Sequence, residues 1–457
     1  MKGTGVSMKI LSDVSAPLEQ VLKKQYIDVI ARNETSIGTE IELPLVPVEG
    51  GFIDPDFVAA LTAHLREMDF QETVHTSDGN ICAMENMDGD ACSFETTWNT
   101  LEFSMKRSSS LNALACRFYP LLIKVQEFCL THGYYLCGRG INPNAAQLCP
   151  EPLHTPVLLA KSQFLAQFTE HHDGKIFHAI CASTQTHLDA KNQTEYMRLF
   201  RLLRRAYAVE GLFFANSLPP AVPELFLRHP VLAGLERNTL CFRDELWRHC
   251  GAPNVQAGTN EPKDTEELCD YLAEMKLFIL SEGEAFRPVA PVQLRQRFAE
   301  ECSEKDLEAF RSLEAVAPTK NGSLEVRSTC TQPLDRLMEP LAFYLGLSAN
   351  QDRTEKILDL LYQTHFGKTS PAVVRDRLMQ GTAVALRQSL RDEMTALLDA
   401  ALEGLVFRGL KEEQFLLPLK CRFGKADYEP PAAALGQEPF AEVKTQMEQI
   451  KRCRYED

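Results

Sequence analysis

The chain has 457 residues, of which 44% are hydrophobic and 24% charged, with a formal charge of −15. That balance is ordinary for a globular protein. Its acidity excludes non-specific binding to nucleic acid or an anionic membrane, which takes an excess of Lys and Arg, while leaving room for a local basic pocket. The 14 cysteines run from Cys82 to Cys453 without a C-x-x-C pair, so neither a zinc site nor a dithiol motif is indicated. Dispersed cysteines in a long chain fit a reducing compartment. Met1 to Leu11 is too polar for a signal peptide, and no apolar run approaches the ~20 residues that span a bilayer. A cytoplasmic protein without membrane or nucleic-acid partners is expected.

In chain order, Ser15 is placed to cap a helix with Pro17 in its first turn. Leu18, Val21, Leu22, Tyr26 and Val29 follow at helical spacing. Residues 1–35 read as a helical lead-in, 36–420 as a single catalytic domain, and 421–457 as a tail ending in a polar helix. The stretch Ile37-Gly-Thr-Glu-Ile-Glu-Leu43 reads as a strand. Glu40 and Glu42, two residues apart, share one face and aim at one spot, with Ile37, Ile41, Leu43 and Leu45 behind them. Asp54-Pro55 opens a helix bearing Phe57, Leu61, Leu65 and Met68.

Strands and turns are expected from about Gln71 to Ser104, with Asp78-Gly79-Asn80 and Asp88-Gly89-Asp90 as turn signals. Asp88-Gly-Asp lacks the remaining ligand positions of a calcium loop and reads as a turn. A long helix over Ser109 to Thr131 ends at Gly133. Tyr134 to Ile141 and Phe177 to Asp189 read as strands, and Asn192 or Thr194 starts the next helix. Leu218 to Glu261 reads as irregular, with one short helix from Arg243 to His249. Lys263 to Leu280 is helical by pattern, Ser323 to Ser328 a strand, and Pro333 to about Gly409 nearly all helical. The tail, with Glu429-Pro-Pro431, is loop and then helix. Strands interleaved irregularly with long helices give an α+β fold rather than a βαβ succession. No G-x-G-x-x-G follows a strand and no Walker A sequence occurs.

Five acids lie on or beside separate expected strands: Glu40 and Glu42, Glu95, Glu102, and Glu325. Gln185, His187 and Asp189 alternate along one strand face, as do Glu325 and Arg327. Each piece alone has an ordinary structural reading, such as a solvated strand face, a surface ion pair or a hydrogen-bonded histidine. Together they offer oxygens for divalent ions and cations for phosphate.

The order of Gly38-x-Glu40-x-Glu42, Phe94-Glu95 with Leu101-Glu102-Phe103-Ser104, and Gly138-x-Gly140-x-x-Pro143 resembles the glutamate–cysteine ligase family. It is most similar to the group of plant and proteobacterial enzymes and the ligases of ergothioneine biosynthesis. Further along, Ala182-Ser-Thr-Gln185-Thr-His187-Leu-Asp189 resembles a family strand in which Asn stands at the His187 position. Leu212-Phe-Phe-Ala-Asn216-Ser217, Leu324-Glu325-Val-Arg327 with Gln332-Pro333, and Ala401 to Leu405 with Arg408-Gly409 extend the likeness across about Ser36 to Leu419. The resemblance implies a glutamine-synthetase-like fold, a curved antiparallel sheet forming a funnel with helices outside. It also implies ATP-dependent joining of glutamate to an amine, cysteine by default, through an acyl phosphate. Glu40, Glu42, Glu95, Glu102 and Glu325 would then hold Mg²⁺ ions. Gln185 and His187, with Glu325, would line the ATP or metal side, and Arg327 and Arg243 would steady phosphate or the substrate carboxylate.

Three departures stand out. Cys330 replaces an Asp common among relatives, the Gly-rich segment after Ser217 is missing, and Trp98 lies in a longer loop between Glu95 and Glu102. A ligase of another amine, a guanidino kinase and a non-catalytic binding protein are the alternative readings.

Overall fold

The computed structural model describes residues 16–30, 36–169, 174–218, 223–255, 261–283, 285–430 and 439–452. Ser15, expected to cap the first helix, lies outside them, as does Pro431 of the tail. The first helix begins at Leu18, directly after Pro17, and passes at Lys23–Ile27 into a wider π-type turn.

The centre of the fold is a curved antiparallel sheet of nine strands among the described residues. Eight of them run in the order β10 (Val316–Pro318), β11 (Leu324–Val326), β7 (Thr184–Leu188), β1 (Ile37–Pro47), β5 (Thr100–Ser108), β4 (Ala91–Phe94), β3 (Ile81–Glu85) and β2 (Gln71–His75). The short β6 (Tyr134–Leu136) pairs with the far end of β1. Strand β1 is the axis because its apolar face, Ile37, Ile41, Leu43 and Leu45, is fully buried. Burying that face fixes its register, since a slip of one residue would turn the acids into the core. One large apolar core runs from Leu18 to Ile450 and includes the helices packed outside the sheet. Among the described residues, no helix is long and apolar enough to cross a membrane.

Local chemistry accounts for most boundaries. Ser110 Oγ accepts from Asn112 N at 3.1 Å and caps the Leu111–Thr131 helix, and Asn192 Oδ1 accepts from Glu195 N at 2.9 Å to start the Gln193–Phe214 helix. The Asp88-Gly89-Asp90 stretch is the β3–β4 turn. There Asn86 Oδ1 takes the Asp90 N–H, and the buried Asp90 carboxylate takes Arg117.

Several sequence expectations are corrected. Phe177 to Ala179 belongs to a helix, Lys175–Ala179, so the strand begins only at Thr184. Its apolar residues fill a separate small core with Leu225 and Phe242, a helical demand that the sequence run does not disclose. The helix expected over Lys263 to Leu280 ends at Glu274; Lys276–Glu282 turns back as β8 against β9 (Ala285–Gln293), a two-stranded sheet. Phe278 and Ile279 pack on the Pro156–Phe168 helix side, which favours an extended run there. The strand from Tyr134 stops at Leu136. A Cβ on Gly138 would lie 2.5 Å from Gln332 O and 2.7 Å from Leu334 N, so the chain is pressed flat against that segment. The region after Leu218 holds a second helix at Pro223–Arg228 besides Phe242–His249.

Candidate active site

Strand pairing places the acids. Glu42 on β1 lies directly opposite Glu102 on β5, Glu40 lies opposite Gln185 on β7, and Glu325 on β11 lies opposite His187. Glu95 follows the last residue of β4 in the turn to β5. That turn is strained. Thr96 holds φ at 61°, unusual for a β-branched residue, and Thr97 N donates back to Glu95 O at 2.6 Å.

The carboxylates gather into two groups, each with ligand atoms within 4.8 Å of one another: Glu40, His187 and Glu325, and Glu42, Glu95 and Glu102. Glu40 and Glu42 therefore do not aim at one spot. They stand side by side on one face and serve neighbouring groups. Asp189, on the strand of Gln185 and His187, is not in either group. It is buried against Arg107, at 3.0 Å, and Ser36.

The second group carries an electrostatic conflict. Glu42 and Glu102 are each 8% exposed and face each other across two strands, where like charges repel. Burial and then Glu95 push the Glu42 carboxyl up to about 7, against the pull of Arg243, the Ser183 N–H and Arg327. Burial raises Glu102 further, with Glu40, Glu95 and Glu42 adding to it. The Glu42 oxygens accept from Ser183 N at 2.7 Å and Gln185 Nε2 at 2.8 Å, and Glu102 accepts from Ser104 Oγ at 2.6 Å. These neutral donors do not cancel the charge. A divalent cation bound by hard oxygens would.

The first group is more balanced. Burial works to raise Glu40, but its contact with His187 Nε2 at 3.3 Å and the Arg327 charge leave it below the usual carboxylate value. Burial likewise works against a charged His187, and Glu40 and Glu325 outweigh it. His187 Nε2 and Glu325 Oε1 are buried without a hydrogen bond, held only by ionic contacts at 3.3 Å. Glu325 Oε1 can turn to a cation, and His187 Nε2 can do so once the imidazole gives up its proton.

Two cavities meet here. One of 750 Å³ is lined by Glu40, His187, Glu325 and Arg327 and by Lys24, Lys305, Arg311 and Lys320, with Glu304 and Glu308 among the latter. A smaller one of 80 Å³ is lined by Arg243, Trp247, Arg375 and, again, Arg327. Arg327 donates to Ser312 O at 3.1 Å and Gln185 Oε1 at 3.2 Å and lies 3.3 Å from Glu325. Arg243, 6% exposed, spends two guanidinium nitrogens on the backbone oxygens of Ser328 and Arg327, at 3.2 and 2.9 Å. Its Nε and the Trp247 Nε1 are buried without a hydrogen-bond partner.

Sequence reasoning passed over two cations. Arg375 underlies the small cavity, tied to Glu210 at 2.9 Å and Asp244 at 2.6 Å. Lys161, half buried, is lowered by burial and drawn the other way first by Glu95. A signal for Lys161 was present, since it is the lone charge in the otherwise uncharged helix Pro156–Phe168.

No family model and no curated protein matches the sequence. Solved structures do match by shape. The crystal structure of glutamate–cysteine ligase from Francisella tularensis in complex with AMP is 10% identical, covers 93% of each chain and has a TM-score of 0.51. A bifunctional glutathione synthetase from Pasteurella multocida is 12% identical and covers 96% of this chain, with a TM-score of 0.43. The chain spans about half of that longer protein, 53% of its length. The first likeness establishes a shared fold, the curved antiparallel sheet with outer helices.

Proposed function

We propose that this chain is an ATP- and Mg²⁺-dependent carboxylate–amine ligase that activates an amino acid such as glutamate as an acyl phosphate, within one catalytic domain of about 36–420. The observation that carries this reading is the position of Arg327, in the wall of both cavities and beside both carboxylate groups. A phosphoryl group leaving a nucleotide in the larger cavity for a carboxylate in the smaller one would pass that guanidinium.

The donor sets fit the metals. The second group offers three carboxylates and the first two carboxylates with an imidazole, suited to Mg²⁺ or Mn²⁺. Bound ions would supply charge neutralisation at the phosphoryl oxygens. The chain's own residues do the rest by position. Lys305, Arg311 and Lys320 attract the polyphosphate, Gln185 holds Glu42 and Arg327 in register, and Arg243 Nε with Trp247 Nε1 present two free donors to a substrate carboxylate. Asp244 and Asp376 on the same cavity suit an α-ammonium. The resemblance sets glutamate and cysteine as the default pair, and the small cavity supports the glutamate half.

The test is incubation with Mg²⁺-ATP, glutamate and hydroxylamine. The ligase reading expects a hydroxamate and inorganic phosphate, both dependent on the acid. ADP without phosphate or hydroxamate would indicate a phosphotransferase, and no nucleotide turnover a binding protein; either result rejects the proposal.

A further inference from the structure

A third cavity, of 220 Å³, lies on the other side of the acid groups from the nucleotide-sized one. The larger cavity is walled by β10, β11, β7 and β1; the carboxylate groups follow on β1 and β5; the third cavity lies at the β4–β5 turn and the β2–β3 turn. The link to the acids is covalent and short. Glu95 and Trp98 belong to the same strained turn, and Trp98 lines the cavity. The opposite wall, Cys149 to His154, is tied to that turn by Leu153 N donating to Thr96 O at 2.8 Å and by Asn99 Nδ2 donating to Cys149 O at 2.6 Å.

The lining has a distinct chemistry. Trp98, Ile53 and Pro152 are apolar, while Asp78 and Glu151 supply two carboxylates. A hydrogen bond from Thr76, with His154 and Asn80 adding to it, holds Asp78 below the ordinary carboxylate range. The basic groups nearby are His154, which is part of the lining and 3.6 Å from Asp78, and Lys175, which pairs with Glu151 from outside the lining. Among the described residues, neither Arg nor Lys lines the cavity. The α-carboxylate of cysteine would find no Arg or Lys in that lining and two repelling carboxylates. An indole face with carboxylates at its rim instead suits an organic cation.

Resting on the ligase reading, we infer that this cavity receives the incoming amine, and that the amine is a linear diamine, free of carboxylate, rather than cysteine. One nitrogen reaches past Trp98 toward Glu95, and the other, as an ammonium, sits between Asp78 and Glu151. In the transfer, the lone pair of the uncharged nitrogen forms the C–N bond as the C–O bond to phosphate breaks. Phosphate leaves with that electron pair, and the surplus proton passes to water. Asp78 and Glu151 act on binding and specificity, without touching the reacting atoms.

The test uses the full chain with 1,4-diaminobutane and cysteine as probes, in calorimetric titration and in turnover with Mg²⁺-ATP and glutamate. The expected result is calorimetric binding of the diamine, with kcat/KM about tenfold or more above that for cysteine. In the double variant Asp78→Lys, Glu151→Lys that ratio should fall by about tenfold or more, as expected when rim attraction turns into repulsion. Cysteine used as well as or better than the diamine, or diamine binding unchanged in the double variant, would overturn the inference. Hydroxamate formation with hydroxylamine in the same preparation separates the two failures: its presence leaves the ligase reading standing when the diamine fails. Calorimetry tests the cavity even where turnover is absent.

Discussion

Replacing Glu42 by glutamine should stabilise the metal-free protein at pH 8 and not at pH 5. The Glu42 carboxyl is 8% exposed and is pushed up to about 7 from an ordinary 4.5. The folded chain thus holds this proton more tightly than the unfolded chain does. Its contribution to stability is fully present below pH 4.5 and is lost as pH rises through 7. At 1.36 kcal/mol per unit, that displacement amounts to about 3 kcal/mol at pH 8. Glutamine avoids the buried charge, but its amide meets one of the two donors now aimed at the carboxylate, Ser183 N or Gln185 Nε2. That mismatch costs about 1 kcal/mol. The net gain of about 2 kcal/mol, spread over an unfolding entropy of about 2.1 cal/mol/K per residue, corresponds to a rise of about 2 °C for a chain of 457 residues. Thermal unfolding in chelator at both pH values measures it. Adding Mg²⁺ should reverse the order at pH 8, because only the wild type keeps the full ligand set. A variant that melts below wild type at both pH values without metal, or that gains as much from Mg²⁺, would refute the reasoning.

Other outcomes follow from the same geometry. Glu325→Gln should abolish acid-dependent phosphate release while far-UV circular dichroism stays unchanged, since Glu325 lies at the cavity wall and not in the core. Arg327→Lys keeps the charge but cannot serve Ser312 O, Gln185 Oε1 and Glu325 together, so kcat should fall by about a hundredfold or more, as for lost transition-state donors. Mg²⁺ binding near pH 7 should release protons from Glu42 and Glu102 and tighten as pH rises, measured by calorimetry in buffers of different ionisation enthalpy. Gly138→Ala should destabilise by about 2 kcal/mol or more, read in urea unfolding, because its Cβ would meet the backbone at Gln332 and Leu334.

The site was legible where two residues on one strand carry the message. Glu40 with Glu42 and Glu325 with Arg327 needed only the two-residue period of a strand to be singled out. What the sequence could not disclose was pairing. Glu42 faces Glu102 across sixty residues of chain, and His187 faces Glu325 across a still longer stretch. The division of the acids into two groups is a consequence of that register. The resemblance motifs separate into two kinds in space. Glu40, Glu325 and Arg327 line cavities, whereas Gly138, Gly140, Asn216 and Gln332 hold backbones together. Asn216 Nδ2 bonds Gly138 O and Thr331 O, and Gln332 Nε2 bonds Phe214 O and Cys330 O. Fold errors arose where apolar spacing serves two structures. Leu268 and Leu272 continue smoothly into Leu277 and Leu280, yet Met275 ends the helix and the chain reverses as a hairpin. Arg375, beside Asp376 and Arg377 on its helix, reads as an ordinary charged face, and Lys161 offers only its isolation among uncharged residues.

The claim on which the account rests is that a substrate carboxylate takes the terminal phosphoryl group of ATP. Glutamate labelled with ¹⁸O in its side-chain carboxylate, incubated with Mg²⁺-ATP and an accepting amine, tests it directly. The account predicts that each released phosphate carries one ¹⁸O atom from the acid. Phosphate released without label would contradict it.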